Sequence, residues 1–451
     1  MPRPGAVLRL RGSGDPGGPH PELRLRPHDR TGQAGLTEGP AQEPRRRRSE
    51  KIVKTFYLSL LWDCNENCVF CLKKAPPEQE NSVPPLLECL AALKRQRARG
   101  FASVSLDGGE PTLRRDLPRI LKYALLLGYK KIMVMTNGAA LSAENVRRLA
   151  APEGGRPSRI SFCVSLHSHK RAVSEKLTRS RGTFRRTVDG IKNLLAAGFD
   201  VSVYHVITRQ NYRALPGFAD FAARELKGVS KVVFSHIYPV QHNLAAMRGV
   251  YPRFSSALPF LAGAISRLER AGVTPMLGNS GMMPVCLLRG QESFFTQAYL
   301  KHDGDAVTFD RNKWDTRDSR KLELLPFFRD DFNERNRVKA AACGKCALRD
   351  VCSGIWRFYE ELYGAGELKP YKKDAFSGIP ADGPRAVIRA AGSRAAGLQP
   401  LLVRLLDARL KGHGSALVPG LHGKSRKTAA AEFARGIGMK LYFGRTQGRG
   451  Q

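Results

Sequence analysis

The run LSLLWDCNENCVFC, residues 58–71, carries an apolar segment straight into Cys64, Cys68 and Cys71. Its apolar half reaches back through FYLSLLW (56–62), which reads as a short buried strand. The three thiols therefore fall in the loop that leaves the first strand, at the end of a sheet where α/β proteins gather their ligands. The C-x3-C-x2-C spacing lets one short loop wrap three irons of a [4Fe–4S] cube and leaves the fourth iron open to a substrate. A structural zinc site would need a fourth Cys or His. None lies nearby, and His20 and His28 fall in sequence without apolar periodicity.

Outward from that loop, short apolar runs alternate with helical periodicities, which predicts repeated βα units and a parallel sheet. After the first strand the candidates are SVSLD (103–107), KIMVMT (131–136), ISFCVSL (160–166), VSVYHVI (201–207) and KVVFSHI (231–237). Helices are expected at about 84–99, 115–127, 142–150, 183–197, 212–226 and 257–271. Gly100, Gly128 and Gly198 stand where the αβ turns should break those helices. Six such units fit either an open barrel or a doubly wound sheet.

The second strand runs into Asp107-Gly108-Gly109-Glu110-Pro111-Thr112. Two glycines let backbone approach a ligand closely, and the adjacent carboxylate can offset an ammonium charge. Alone this is an ordinary turn composition; one βα unit after a cysteine loop it is more. Together these residues resemble the radical SAM superfamily over roughly positions 55–275, with Phe70 in the aromatic place before the third cysteine. The resemblance implies an α/β fold, a partial (β/α)6 barrel. It also implies a [4Fe–4S] cluster on Cys64, Cys68 and Cys71 whose open iron binds S-adenosylmethionine (SAM). Reductive cleavage would give methionine and a 5′-deoxyadenosyl radical. Gly108, Gly109 and Glu110 would bind the SAM amino group. Thr136-Asn137-Gly138 and Ser165-Leu166-His167 resemble the family's strand ends. Ser165, with Arg179 or Arg181, would hold the SAM carboxylate; the plain alternative is a strand cap and solvated arginines. Asn211 would lie near the SAM ribose. A reductant such as flavodoxin or ferredoxin is the implied partner.

A second cluster, Cys343, Cys346 and Cys352, has C-x2-C-x5-C spacing, with Cys286 upstream as a fourth candidate ligand. It resembles the SPASM/twitch extensions that carry an auxiliary [4Fe–4S] cluster. Trp356 stands where a full SPASM domain has a further cysteine, so four ligands for one cluster, a twitch-like extension, are expected. Zinc on the same four cysteines is the competing reading. Cys89 and Cys163 read as small buried hydrophobes, and His205 and His236 as core histidines.

The 451 residues carry a formal net charge of +35, spread along the chain. That charge suits nucleic acid or acidic partners as well as a basic solvated surface. Nine cysteines, six of them in two short-spaced clusters, suggest metal ligation in a reducing compartment. No apolar run is long enough to span a bilayer, and the opening stretch lacks a signal-peptide apolar segment, so a cytoplasmic protein is expected. The expected organisation is a disordered Arg/Pro/Gly-rich segment at 1–50, a core barrel at 51–275, an auxiliary-cluster region at 276–375 and a basic tail at 376–451. Within that tail, residues 398–412 suggest an amphipathic docking helix.

The substrate is not named by any motif. Peptide or protein modification by hydrogen abstraction is the first expectation. Small-molecule chemistry of the molybdopterin-precursor kind is the second, although the ending Gly448-Arg449-Gly450-Gln451 lacks the Gly-Gly pair of that enzyme. RNA modification, and from another class a zinc-binding nucleic-acid module, remain as alternatives.

Overall fold

Strand β1 (Thr55–Ser59) alternates half-buried with buried residues and pairs in parallel with β2 (Ser103–Asp107), buried throughout. In this computed structural model the described residues are 55–71, 83–150, 159–239, 243–278, 283–294, 306–307, 335–373, 375–376, 378–388 and 398–443. Contacts group residues 51–451 as one unit. The segment 1–50, where the sequence predicts disorder, lies outside the described residues.

After α1 (Leu86–Ala98) and β2 come α2 (Leu117–Leu126), β3 (Lys131–Thr136), α3 (Ala143–Ala150) and β4 (Ile160–Ser165). Then follow α4 (Arg171–Thr178), α5 (Thr183–Ala196), β5 (Asp200–Ile207), α6 (Leu215–Glu225) and β6 (Lys231–His236). The short α7 (Leu244–Met247), α8 (Phe254–Arg270) and β7 (Thr274–Leu277) complete the alternation. Every pairing is parallel and the strands lie in chain order from β7 to β1, with the two-residue β8 (Ala306–Val307) beyond β1. A doubly wound sheet reverses its order at a switch point. This one never does, so right-handed crossovers put the helices on one side and curve the sheet as an open barrel.

All six predicted strands are present, five of them within one residue of their expected ends, while β1 stops at Ser59, three residues short of the expected 62. The additional β7 and β8 are too short for periodicity to reveal, and Pro275 interrupts β7. Helix α4 was hidden because only Arg179–Gly182 separates it from α5. Gly100, Gly128 and Gly198 hold φ of 90°, 77° and 82° at the αβ turns.

Register sorts the side chains. Val134, Phe162, Val203 and Phe234 lie across neighbouring strands on one face, all buried against the helices. Cys163, Ser165, Tyr204 and Val206 belong to the other, concave face.

Farther on, β9 (Arg337–Val338) and β10 (Ile355–Trp356) form a small antiparallel pair, followed by α9 (Arg357–Tyr363). The expected basic tail is replaced by folded structure. Strands β11 (Arg385–Val387), β12 (Ser415–Leu417) and β13 (Lys440–Tyr442) make a parallel three-stranded sheet, with α10 (Gln399–Leu410) and α11 (Lys424–Gly436) as crossovers. Helix α10 is not an amphipathic docking helix, because nine of its twelve residues are buried around its circumference. Even Arg409 is buried, its guanidinium donating to the carbonyls of Ile437, Pro380, Phe376 and Ile379. Three-residue strands and a basic composition concealed this unit. Among the described residues, no helix is long and apolar enough to cross a membrane.

Candidate functional site

The cysteine loop is clamped from both sides. Past β1 the ladder continues: Leu60 N–H donates to Asp107 O (2.7 Å), Gly109 N–H to Leu61 O (2.7 Å) and Glu110 N–H to Asp63 O (2.8 Å). This close approach explains both glycines. A Cβ on Gly108 would overlap the Leu61 carbonyl, and one on Gly109 would overlap the carbonyls of Trp62 and Asp63. Gly108 also holds φ 139°. They are required by the neighbouring loop's backbone, a role the sequence reading had assigned to a ligand. On the other side, Asn67 N–H donates to Thr178 O (2.9 Å) and Val69 N–H to Leu177 O (3.0 Å), at the end of α4. Buried Arg114 reinforces the base, donating to Leu60 O (2.8 Å) and Pro84 O (2.9 Å) while paired with Asp116 (2.7 Å).

The loops enclose a cavity of about 930 Å³ including its open mouth. It is bordered by Cys64, Cys68 and Cys71, by Phe70, by Gly108, Gly109 and Glu110, and by Ser165. With Thr136 and Asn137 at the end of β3, which also border it, the cavity brings together residues from four separate strand ends that the sequence reading selected. The Phe70 ring meets His167 edge-on at 4.7 Å.

Glu110 is completely enclosed. Its Oε1 accepts from Thr112 N (3.0 Å) and from the Thr112 and Thr136 hydroxyls, and its Oε2 accepts from Asn137 N (2.6 Å). All of these donors are neutral, and burial pushes its pKa above the usual carboxylate range. A carboxylate in this setting gains from a ligand that brings positive charge.

Cys64 is exposed as a residue, but the packing around its sulfur, with nearby Glu110 and Glu66 adding a smaller effect, pushes the thiol up to about 12. Burial likewise raises Cys68 well above its ordinary value. Such thiols become thiolates when a metal supplies compensating charge. Asn137 Nδ2 donates to Asn65 Oδ1 (2.6 Å) and faces the Cys64 sulfur at 3.8 Å; its Oδ1 accepts from Ala139 N, which fixes the amide's orientation.

Two expected cofactor residues do not border this cavity. Arg179 is exposed, capping α4 in the left-handed conformation at φ 50°. Asn211 is buried but spends its amide on the fold: Nδ2 donates to His167 O (2.7 Å) and Val206 O (2.8 Å), and Oδ1 accepts from Thr208 N (2.7 Å). It ties the ends of β4 and β5 together. Met135, Tyr204 and Tyr238, which the sequence reading passed over, do border the cavity. Met135 and Tyr204 share the strand alternation of Ser165 and could have been found by counting in twos.

His205 is a core residue on the helix-facing side of its strand, whereas His236, at the end of β6, packs against α8 and also borders the cavity; both are incompletely satisfied. His205 Nδ1 lies 3.0 Å from Leu166 O, with Nε2 unpartnered. The His236 ring packs against Phe254 (4.9 Å) and Tyr251 (6.1 Å), with both nitrogens unpartnered within the protein. Burial alone drives His236 and His167 down to about 3. His167 Nδ1 accepts from Val206 N (3.1 Å), so its neutral ring carries the proton on Nε2.

Cys286, Cys343, Cys346 and Cys352 border a second cavity of about 390 Å³, beside Leu348 and Tyr371. Backbone N–H groups point at two of these sulfurs: Gly354 N at Cys352 (3.4 Å) and Tyr371 N at Cys346 (3.3 Å). Burial pushes Cys286 up to about 11, with the neighbouring thiols adding to it. Among the described residues, no three His, Cys, Asp or Glu side chains close on one point as a single metal ion requires. Cys89 and Cys163 are buried away from both sets of thiols, as expected of small hydrophobes.

Residues 63–222 match the family model described as the radical SAM superfamily. A probable GTP 3′,8-cyclase of Saccharolobus islandicus is 31% identical over 185 residues, covering 41% of this chain and 56% of the relative. The chain therefore spans little more than half the length of that relative. Mycofactocin maturase MftC of Mycobacterium ulcerans is 26% identical over 350 residues, 72% of this chain and 85% of the relative. Among solved structures, Streptococcus suis SuiB bound to precursor peptide SuiA shares the fold with a TM-score of 0.50 and 16% identity, over 71% of this chain and 75% of that one. The cysteine loop, the consecutive parallel strands and these matches lead to one assignment: the chain carries a radical SAM domain.

Proposed function

We propose that this chain is a radical SAM enzyme that modifies a peptide or protein. Cys64, Cys68 and Cys71 would hold a [4Fe–4S] cluster, and the adjoining cavity would hold SAM. When bound and reduced, the cluster would supply one electron to the SAM sulfonium, breaking a carbon–sulfur bond to give methionine and a 5′-deoxyadenosyl radical for hydrogen abstraction. The chain's own residues do the rest. Glu110, short of positive charge, would receive the SAM ammonium; Ser165 would donate to its carboxylate; Phe70 and the strand ends keep water away from the reacting atoms.

One observation carries the choice of substrate class. Among the described residues the cavity is bordered by three carboxylates, Glu66, Asp107 and Glu110, and by no Lys or Arg. A nucleoside triphosphate calls for cationic partners, and in a chain of +35 their absence from this border is selective. A neutral peptide segment suits the aromatic and apolar wall of Met135, Tyr204 and Tyr238. The match to mycofactocin maturase MftC over 72% of this chain supports a maturase reading.

Cys286, Cys343, Cys346 and Cys352 would hold a second, auxiliary [4Fe–4S] cluster. Four thiols around one small cavity, with N–H groups directed at sulfur, are an environment that stabilises cluster thiolates.

Anaerobic reconstitution tests the two cluster assignments and the SAM chemistry. The chain should take up roughly eight irons and cleave SAM under dithionite. Cys64→Ala should abolish cleavage, and Cys343→Ala should remove about half the iron. Zinc without iron, or cleavage that survives Cys64→Ala, refutes the reading.

A further inference from the structure

The arginine the sequence reading assigned to SAM is on the outside of the molecule, and it has company. Arg179, Arg181, Arg185 and Arg186 are all exposed, within eight residues, where α4 passes into α5. The segment abuts the cysteine loop directly, because Leu177 and Thr178 accept the N–H groups of Val69 and Asn67. Asn67 and Cys64 are themselves exposed.

Of these arginines Arg186 has local partners, donating Nε to Gly182 O (3.3 Å) and offsetting the charge of Glu66; the local backbone and helix-end electrostatics work against Arg179 and Arg185. Arg179 is the one non-glycine residue with positive φ among the described residues, a conformation that penalises a Cβ. Arg185 and Arg186 occupy the first turn of α5, which has no acidic residue there. The N-terminal end of a helix carries partial positive charge and disfavours cations. The fold therefore tolerates a concentrated positive patch at the place where the cysteine loop reaches the surface.

We infer that this patch is the docking surface for an acidic one-electron donor protein, which delivers its electron to the iron–sulfur site on Cys64, Cys68 and Cys71. The inference rests on the cluster reading above. In the transfer the donor loses one electron and the iron–sulfur site gains one, with no bond made or broken. Complementary charge raises the encounter rate and orients the partner, and the exposed Cys64 keeps the path short.

Reduced flavodoxin, an acidic protein, serves as the probe, with cluster reduction followed anaerobically by stopped-flow absorbance. The wild-type rate should fall with rising ionic strength. Charge reversal in R181E/R185E should slow reduction by flavodoxin about tenfold or more, while reduction by dithionite is unchanged and R181K/R185K keeps the wild-type rate. An unchanged flavodoxin rate, or equal losses with both reductants, overturns the inference. A wild-type chain that holds no iron overturns the cluster reading instead.

Discussion

Glu110 Oε2 accepts the backbone N–H of Asn137 at 2.6 Å, joining the loop after β2 to the end of β3. Through it the carboxylate is fixed at the cavity, while Asn137 turns its amide toward Asn65 and Cys64. The same carboxylate both orders the site and supplies its buried negative charge.

Removing that charge should weaken SAM binding. Glu110→Gln keeps the size of the side chain and loses a charge-assisted bond, which costs about 2 kcal/mol, roughly thirtyfold in Kd. Because burial raises the Glu110 pKa, wild-type affinity should fall as pH drops through that raised value and the carboxyl becomes neutral. Binding measured against pH should show a steeper dependence in the wild type than in the variant, where Glu66 at the same cavity, pushed up to about 7 by burial, still titrates.

Gly109→Ala should damage the cysteine loop without touching a cysteine. The added methyl meets the carbonyls of Trp62 and Asp63, and overpacking of this kind costs about 1–3 kcal/mol. The loop must lift away from β2, so iron retained after reconstitution and desalting should drop. Full iron retention would show that the two loops separate easily.

Stability should decline in mild acid. His167 and His236 titrate near 3 in the folded chain, against 6.5 ordinarily. The unfolded chain therefore binds protons first. The stability held above about pH 6.5 is lost as pH falls toward 3, at about 1.4 kcal/mol per pH unit for each histidine. Denaturant titrations of His236→Phe should show a shallower pH slope than the wild type.

Arg409→Met should loosen the C-terminal sheet selectively. Four backbone carbonyls would lose the buried guanidinium that they share, at a cost of about 2 kcal/mol or more. Hydrogen exchange should quicken across α10 to β13 while β2 to β6 keep their protection.

The strand periods and the two cysteine spacings were legible because they are local: a buried strand must read as an apolar run, and three ligands in one loop must lie close in sequence. By itself the sequence determined six strands of the barrel, the cysteine loop with its GGEP neighbour, and a second cysteine set. Tertiary structure decided whatever depends on distant partners. It set the consecutive strand order, drew Cys286 to the cysteines near 343–352, and turned Gly108 and Gly109 toward the carbonyls of the loop beside them. It also withdrew Asn211 into the fold and moved Arg179 to the surface. A residue's type limits what it can bond, but only the folded chain decides which partner is within reach.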